Sequence, residues 1–453
     1  MSGGTETVRG GGLDAIFRYR ARGSSARQEM VAGATTFAAM AYILAVNPAI
    51  LAAAGMDRAD LVIATAAAAI FGSTLMGLWA NLPLAVAPAM GSNVVLTYVV
   101  VKQMGVPWQG ALAMVAATGV VFLALSLSRL RGYVAREVPE VLKIGIQAAV
   151  GTLIVFIGLR GAGFIVANPS TYVGMGSLAK PPVLLTLAGL LATPVLVVRR
   201  VPGALILSIA ALTVIGLVVP DGKGGTVTHL PHAVFAWPRW PSGTFGRLDP
   251  LWLARNIIVA LPILFYFICA EFFSTLGTVI GVTGAADLRG RDGSIPNATA
   301  VFATDALSSI VGPIFGTSVV TAYIESVTGA QAGGRSGLTA MTVAALFVVS
   351  LFLWPVFVIV PAQATAPALV LVGVLMMQGL ARIDFADFAN AVPIVLTLLV
   401  TVLSNNLING MALGTFSYIL IALAGGRGRE VSGVVWGLGA VFVAFWVVTT
   451  TLM

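Results

Sequence analysis

Two short stretches, APAMGSN at residues 87–93 and GPIFGTS at residues 312–318, interrupt apolar segments in a similar way. Each carries Pro-x-x-Gly followed by a small hydroxyl residue: Pro88, Gly91 and Ser92 in the first, Pro313, Gly316 and Thr317 in the second. Proline and glycine at membrane depth release backbone groups that lipid cannot satisfy, so such breaks persist only where they line a polar cavity. Matched breaks in two halves of a chain indicate a transporter built from inverted repeats, with its binding site between them.

The composition indicates a protein that crosses a lipid bilayer many times. The 453 residues are 58% hydrophobic and only 9% charged, whereas a soluble domain carries roughly 25% charged residues. Stretches such as 109–128, 337–361 and 433–453 reach the ~20 apolar residues that a spanning helix needs. The net charge of +8 does not indicate nucleic-acid binding, because the sequence contains no basic cluster with interleaved aromatic residues.

Basic residues at the ends of the apolar segments predict the orientation. Those that we place on the cytoplasmic side are Arg9, Arg18, Arg20, Arg22, Arg27, Arg129, Arg131, Arg136, Arg199, Arg200, Arg289 and Arg291. By the positive-inside rule, the N-terminal segment 1–29 is then cytoplasmic. We expect the chain to lie in the cell inner (plasma) membrane. Arg427 and Arg429 are exceptions, because the count of segments places them outside.

Hydropathy divides the chain into fourteen helical segments, seven in each repeat. The first repeat, 30–220, comprises 30–50, 60–80, 85–101 (broken), 109–128, 141–159, 181–199 and 201–220. After an extracellular linker, 221–250, the second repeat, 252–453, comprises 252–282, 297–312, 316–331 (broken), 337–361, 365–381, 389–424 and 433–452. Segment 389–424 is too long for one straight span, so it is one interrupted helix or two short ones. Two short helices would remove the arginine exception.

Two acidic residues stand out within the predicted spans, Glu271 and Glu325. A carboxylate inside the bilayer costs ~2.5–3.5 kcal/mol on insertion scales, so it indicates function by default. The structural alternative is neutralisation by an arginine or by a hydrogen bond between helices. We favour the functional interpretation, because no lysine or arginine lies in a neighbouring apolar core, and Lys143 and Arg160 are close enough to span ends to snorkel.

Hydroxyl groups and unwound backbone accompany both glutamates. Near Glu325 these are Thr317, Ser318, Thr321, Tyr323 and Ser326, with Ser92 and Asn93 in the mirror position at the first break. A half-helix beginning near Tyr323 would direct its positive end at the break. The extended pieces 93–97 and 317–321 are predicted to pair as two short strands.

The helical period places Glu271, Ser274, Thr275 and Thr278 on one face of the eighth segment. Serine and threonine faces also arise from plain helix packing. That interpretation is favoured for Thr278, and both interpretations stay open for Thr275.

This chemistry suits a small planar ligand with both donors and acceptors, such as a nucleobase. Two glutamates would repel an inorganic anion. A carboxyl group in a low-dielectric site favours its neutral form, so Glu271 or Glu325 would carry the proton that couples entry to a proton gradient.

Other classes of function fit the sequence less well. An intramembrane serine enzyme would need a histidine or lysine base within a span, yet His229 and His232 share one loop. This pair has a spacing seen in zinc sites but no third ligand nearby, so we expect neither a metal nor another cofactor. A channel fits less well than an alternating-access carrier, because the polar breaks predict tight occlusion.

Six blocks resemble the guanine/hypoxanthine/adenine permease family, the AzgA-like branch of the nucleobase:cation symporter-2 superfamily. They are TTFAAMAYILAVNPAIL (35–51), APAMGSNVVLTYVVV (87–101), EFFSTLGTVIGV (271–282), GTSVVTAYIESVTGAQAGGRSGLTA (316–340), ATAPALVLVGVLMM (364–377) and NGMALGTFSYIL (409–420). The resemblance runs in order from about residue 13 to residue 424.

The resemblance implies an all-α, seven-plus-seven inverted repeat with a core domain, 30–128 plus 252–361, and a gate domain, 141–220 plus 365–453. Purine nucleobases (hypoxanthine, guanine, adenine) would bind between broken segments three and ten, and the core would move against the gate like an elevator. Glu271 and Glu325 match the family's acidic residues that hold the base, beside Thr275, Tyr323 and Ser326. Phe37 or Tyr323 is expected to stack on the base, and a homodimer is the expected assembly.

Two departures from the family pattern bear on specificity. The branch usually has aspartate at the positions of Glu271 and Ser274, and its Asn-Ala after the first break is Asn93-Val94 here. A related solute, such as uracil, xanthine or another small planar molecule, therefore stays an alternative substrate for the same fold.

Overall fold

A computed structural model describes residues 12–128, 137, 139–290 and 294–452 of the chain. Arg9, Arg129, Arg131, Arg136 and Arg291, which enter the prediction of orientation, lie outside these residues.

The described residues form mainly helices, with four short strands and a long linker between α9 and α10. In chain order the helices are α1 Leu13–Phe17, α2 Ala26–Met40, α3 Ile43–Ala52, α4 Arg58–Leu75, α5 Met90–Val94, α6 Trp108–Leu127, α7 Glu140–Gly161, α8 Pro181–Val198, α9 Ala204–Gly216, α10 Pro250–Arg255, α11 Ile257–Ala285, α12 Ala298–Phe315, α13 Ser326–Gln331, α14 Gly337–Ser350, α15 Trp354–Val358, α16 Ala362–Met377, α17 Phe388–Ser404, α18 Leu407–Ala424 and α19 Gly433–Leu452. Strands are β1 Val86–Pro88, β2 Ile165–Asn168, β3 Tyr172–Met175 and β4 Val320–Ala322. Met76–Ala80 and Val95–Gln103 are π-helical.

The protein is a helical multi-pass membrane protein. Within the described residues, ten helices are long and apolar enough to cross a bilayer. They are Ala26–Ala52, Arg58–Ala80, Trp108–Leu127, Glu140–Gly161, Pro181–Val198, Ile257–Ala285, Ala298–Phe315, Gly337–Val358, Ala362–Arg382 and Leu407–Ala424. Shorter apolar helices cover Ala204–Gly216, Phe388–Ser404 and Gly433–Val447.

Both predicted breaks are present, and they meet in a two-stranded antiparallel sheet. Strand β1 pairs with β4 in the register Val86↔Ala322, Ala87↔Thr321 and Pro88↔Val320. Two further bonds extend the pairing, from Ala89 N–H to the Val319 carbonyl and from Tyr323 N–H to the Ala85 carbonyl. The unwound backbone of each half is therefore satisfied by the other half.

The prediction that 93–97 pairs with 317–321 is wrong for the first piece. Residues 90–94 are helical and 95–103 are π-helical, so the extended residues come before Gly91 rather than after it. Ala89 has extended backbone and directly precedes the new helix, and this leaves only Val86–Pro88 for the sheet.

The two Pro-x-x-Gly motifs do not occupy equivalent positions either. Pro88 lies in β1 and Gly91 in α5, whereas Pro313 lies inside α12 and Gly316 ends that helix with φ 92°. The left-handed conformation of Gly316 favours glycine, because it carries no Cβ. Its counterpart after the helix that precedes β1 is Asn81, with φ 52°.

Two serines, rather than the two proline motifs, mark equivalent places in the halves. Ser73 on α4 lies 3.1 Å from the carbonyl oxygen and 3.0 Å from the amide nitrogen of Val86. Ser309 on α12 brackets Val320 in the same way, at 2.9 and 3.3 Å. Each hydroxyl thus satisfies the outward-facing backbone of one strand residue, which lipid could not do.

Segment 389–424, counted as one span in the sequence, is a pair of antiparallel helices. Its two halves, α17 and α18, are joined at Asn405, which has φ 52°, and Asn406, whose side chain caps α18. Gly410 and Gly414 approach Thr401 and Thr397 respectively, so the two helices lie side by side. The second sequence alternative, two short helices, is therefore confirmed.

The linker 221–250 packs along the ends of helices from both halves. Gly243 N–H donates to Asp60 Oδ2 at 2.8 Å, and Gly246 N–H donates to the Ile314 carbonyl at 2.7 Å. Arg239 forms an ion pair with Asp60 at 2.5 Å. These contacts fix the ends of α4 and α12, the two helices that hold the central sheet.

Candidate functional site

Glu271 lies on the face of α11 that packs against α12. Its side chain is 1% exposed, and its Oε1 accepts a hydrogen bond from Ser309. One turn along each helix, Thr275 donates to Asp305. The pairs run in opposite directions along the two helices, so α11 and α12 are antiparallel here. This contact brings Glu271 and Thr275, both predicted from sequence, to the edge of the central sheet.

Asp305 is a buried acid that the sequence interpretation missed. Besides Thr275, it accepts hydrogen bonds from the Ala322 N–H at 2.8 Å and from Thr321 Oγ1 at 3.2 Å. It is fully buried on α12. The signal was available, because an aspartate within the apolar run 297–312 meets the same criterion that identified the two glutamates.

The two neighbouring acids differ in their number of donors. Asp305 accepts from three groups, Thr275, Thr321 and the Ala322 amide. Glu271 accepts from Ser309 alone, and its Oε2 has no hydrogen-bond partner among the described residues. Glu271 therefore keeps one carboxyl oxygen available for a further hydrogen bond, whereas Asp305 is held by three donors.

Glu325, the other predicted carboxylate, has a separate partner. Tyr42 Oη donates to Glu325 Oε1 at 2.7 Å. Tyr42 lies between α2 and α3, where the helix of the first apolar segment is interrupted, and is almost fully buried. Glu325 directly precedes α13. The two glutamates therefore sit on different elements around the sheet and share no partner among the described residues.

Tyr323 and Ser326 connect the two breaks to each other. Tyr323 donates its hydroxyl hydrogen to the Pro88 carbonyl, and Ser326 Oγ accepts from the Ala85 N–H at 3.0 Å. Both side chains are buried. In this structure their polar atoms hold β1 in place, so they act as scaffold.

A second buried polar network joins the first break to the end of α12. Asn47 on α3 donates to Thr65 Oγ1 at 2.7 Å and to Thr317 Oγ1 at 3.1 Å. Asn93 donates to Asn47 Oδ1. Asn93 and Thr317, both predicted from sequence, are thus linked through Asn47, which the sequence analysis passed over although it lies in the quoted block 35–51.

The remaining predicted residues have different surroundings. Phe37 packs edge-on against Phe347, with ring centres 5.1 Å apart. Ser92 is 5% exposed and follows Gly91 in α5. A Cβ built on Gly91 would lie 3.1 Å from both Met376 on α16 and Val150 on α7. Helices α7 and α16 therefore pack directly on the first break.

Several buried polar atoms at the breaks lack a hydrogen-bond partner among the described residues. They include Glu271 Oε2, Asn93 Oδ1, Thr97 Oγ1 and Ser318 Oγ. A buried polar atom without a partner costs about 1–3 kcal/mol. Of these four, Asn93, Thr97 and Ser318 lie on the segments that the sequence marks as broken, and Glu271 lies on α11. The carboxylate and amide oxygens among them are ready to accept hydrogen bonds from a ligand.

Comparison with known proteins agrees with this architecture. The model of a family described as Permease family, Xan_ur_permease, matches residues 27–412. Adenine permease AdeP of Escherichia coli (strain K12) is 38% identical over 440 residues, which covers 97% of this chain and 97% of that protein. Guanine/hypoxanthine permease PbuO of Bacillus subtilis (strain 168) is 38% identical over 422 residues, covering 92% and 96%. These matches confirm the resemblance seen in the six sequence blocks.

A solved structure shows the same fold at low sequence identity. The transmembrane domain of the cyanobacterial bicarbonate transporter BicA matches with a TM-score of 0.62 and 17% identity, covering 85% of this chain and 97% of that one. At this identity the likeness concerns the helical fold alone.

Proposed function

Because this chain belongs to the permease family, we propose that it is a secondary active transporter that imports purine nucleobases (hypoxanthine, guanine and adenine) by proton symport. The membrane location and the family are the premise. The substrate class extends to this chain what the names of its relatives say of them.

The observation that carries the proposal is the unpartnered Oε2 of buried Glu271 beside the paired breaks. A purine offers ring and exocyclic N–H groups that donate to such an oxygen, and ring nitrogens or carbonyls that accept. Glu325 supplies a second carboxylate, held by Tyr42. Thr275, Asn93, Thr317 and Ser92 complete the polar surroundings, and Tyr323 and Ser326 keep the two breaks together.

Proton coupling follows from the cost of buried charge. An ionised carboxylate with one donor and a bare oxygen is unfavourable in a low-dielectric site. Glu271 would therefore take up a proton together with the base, and Glu325 would bind the base from the opposite side of the sheet. Opening toward the cytoplasm would then release both the base and the proton.

We further propose that the fold comprises fourteen segments in a seven-plus-seven inverted repeat, with the helix pair α17 and α18 counted together as the thirteenth segment. The matching serine contacts of Ser73 with Val86 and of Ser309 with Val320 support this equivalence. Core domain 30–128 plus 252–361 would move against gate domain 141–220 plus 365–453. The apolar contacts of Gly91 with Val150 and Met376 support sliding at this point of the boundary, because they include no hydrogen bond that movement would break. Elsewhere on the boundary Gln103 donates to the Ser404 carbonyl at 3.2 Å, and this exposed bond would have to break.

The setting in the cell completes the proposal. The chain lies in the inner (plasma) membrane with its N-terminus in the cytoplasm, as the arginine distribution predicts, and forms a homodimer, as the resemblance implies.

Uptake of radiolabelled hypoxanthine, guanine and adenine in cells without their own purine permeases tests the proposal. The wild-type chain should accumulate at least one base, and a protonophore should abolish accumulation. Glu325→Gln should abolish uptake. Asp384→Asn, a matched loss of one carboxylate at an exposed position outside both breaks, should not. Unlabelled uracil and xanthine as competitors distinguish the alternative substrates. Normal uptake by Glu325→Gln would refute the role of Glu325.

A further inference from the structure

The Ser309 hydroxyl has more hydrogen-bonding neighbours than its single hydrogen can serve. Its Oγ contacts Glu271 Oε1, lies 2.9 Å from the Val320 carbonyl oxygen and lies 3.3 Å from the Val320 nitrogen. The Val320 N–H donates to Oγ. The carbonyl oxygen and an ionised Glu271 would then compete for one hydroxyl hydrogen.

Adding one proton to Glu271 completes this set of bonds. The new Glu271 O–H donates to Ser309 Oγ, which also accepts from the Val320 N–H with its second lone pair. The Ser309 hydrogen is then free to bond the Val320 carbonyl. One proton taken up thus gains one hydrogen bond, and the bond gained lies on strand β4 of the substrate break.

The first half of the chain contains the same serine–strand contact without a neighbouring acid. Ser73 makes the same two contacts with Val86, and no carboxylate contacts Ser73 among the described residues. Its single hydrogen therefore serves the Val86 carbonyl at all times. The residue one turn before Ser73 is Ala69, whereas the one before Ser309 is Asp305. Pro88 and Ala322 each lie two residues after the strand residue that the serine contacts. Pro88 has no N–H and needs no acceptor, whereas the Ala322 N–H donates to Asp305.

We propose that Ser309 is a positioning residue that transmits the protonation of Glu271 to strand β4. When Glu271 is ionised, the hydroxyl turns to it and Val320 loses a hydrogen bond. When Glu271 is protonated, the hydroxyl turns to Val320 and fixes the strand against α12. This inference rests on the proposed proton symport and names the residue through which the proton acts on the binding site.

Several other ionisable groups lie near α11, and their titration has to be distinguished from that of Glu271. Those on elements packed against it are Asp305 on α12, Arg255 at the end of α10, Tyr323 and Glu325 after β4, and Lys143 on α7, whose ammonium lies 4.4 Å from the Phe273 ring centre. Helices α6, α13 and α19 carry none. Asp305, with its three donors, is the nearest competitor for the proton.

Infrared difference spectroscopy of the purified full-length protein, titrated between about pH 5 and pH 9, tests the proposal directly. The C=O stretch of a protonated carboxylic acid should be present in the wild type and absent in Glu271→Gln. In Ser309→Ala the band should move to the higher frequency of an acid without an acceptor. In Ser73→Ala, the matched loss of one hydroxyl from the other half, it should stay in place.

A second measurement, the pH dependence of purine binding, includes variants that keep Ser309. The ratio of hypoxanthine Kd values at about pH 8 and pH 6 should fall toward one in Glu271→Gln, whose amide donates to Ser309 as the protonated acid does. Ser73→Ala should keep the wild-type ratio, and Ser309→Ala, where it folds, should lower it.

The outcomes separate this inference from the proposed function. An unshifted band in Ser309→Ala, equal shifts in both serine variants, or no Glu271 band at any pH would overturn the role of Ser309. A wild-type protein that shows the predicted band pattern but binds no purine would refute the proposed substrate and leave the hydrogen-bond switch supported.

Discussion

Tyr42 and Glu325 are joined by a hydrogen bond of 2.7 Å between the phenol Oη and the carboxylate Oε1. The bond connects the interruption between α2 and α3 to the residue that precedes α13, across 283 positions of sequence. Tyr42 therefore fixes the position of one oxygen of this carboxylate.

Replacing Tyr42 by phenylalanine should weaken substrate binding without unfolding the protein. A hydrogen bond to a charged group contributes about 1.5–3 kcal/mol, so we expect Kd for the transported purine to rise by roughly ten-fold or more. Scintillation-proximity binding to purified protein measures this. Tyr98→Phe, on the π-helical stretch 95–103, is the matched loss of a phenol and should leave Kd within about two-fold. Equal effects of both changes would count against the positioning role of Tyr42.

Glu271→Gln should separate binding from accumulation. The amide oxygen still accepts from a ligand, and the amide N–H still reaches Ser309, but the side chain carries no transferable proton. We expect purine to bind, and labelled base to equilibrate across proteoliposome membranes without concentrating when an inward proton gradient is imposed. Wild-type protein in the same vesicles is the control. Uphill accumulation by the variant would show that the proton resides elsewhere.

Asp305→Asn should lower the thermal stability of the protein. The Ala322 N–H and the Thr321 and Thr275 hydroxyls all donate to this carboxylate, and an amide in its place offers one acceptor oxygen and two donor hydrogens. Leaving a buried donor unpaired costs about 1–3 kcal/mol. The melting temperature, followed by fluorescence-detected size exclusion, should fall clearly below that of the wild type.

Asp387→Asn is a suitable comparison for this prediction. Asp387 caps α17 from an exposed position, accepting from the Ala389 N–H. Asparagine is an equally good cap, so the melting temperature should hardly change. If the two variants melted together, the donor set around Asp305 would not be contributing to stability.

Gly91→Ala should slow transport by obstructing the boundary between the broken segment and α7 and α16. The added methyl would lie 3.1 Å from Met376 Cε and from Val150 Cγ1, closer than carbon atoms normally pack. We expect the initial uptake rate to fall several-fold while purine binding is retained. Combining it with Met376→Ala should restore much of the rate, because the methionine end is one of the two obstacles. A double variant as slow as Gly91→Ala would argue that the glycine serves the backbone instead.

Much of the architecture was predictable because apolar length and intramembrane polarity are local signals. Glu271 and Thr275 could be identified as individual residues, and the two breaks as segments. The register of the breaks could not, because it depends on which hydroxyl meets which strand residue. Ser73 and Val86 are separated by 13 positions, and Ser309 and Val320 by 11, so no fixed sequence spacing relates the halves. The matching Pro-x-x-Gly letters therefore suggested an equivalence that the structure does not have.

Two other differences had readable causes. Asn405 and Asn406 interrupt an apolar run, and asparagine tolerates the left-handed conformation and forms turns, so the reversal between α17 and α18 was one of the two alternatives considered. Asp305 was overlooked although it lies within the predicted segment 297–312, because only the two glutamates were singled out. Its role depends on Ala322, 17 positions away, whose free N–H arises only once β4 has formed.

Sharing one small sheet between distant stretches has a consequence for synthesis. Ala85 finds its side-chain partner Ser326 only 241 positions later. While the ribosome makes the intervening residues, the peptide groups of β1 that pair with β4 have no native acceptors or donors, and lipid offers none. The nascent first half must therefore keep β1 in contact with water or with another protein, out of the lipid. Folding of this region should be completed only after residues 320–326 have been inserted.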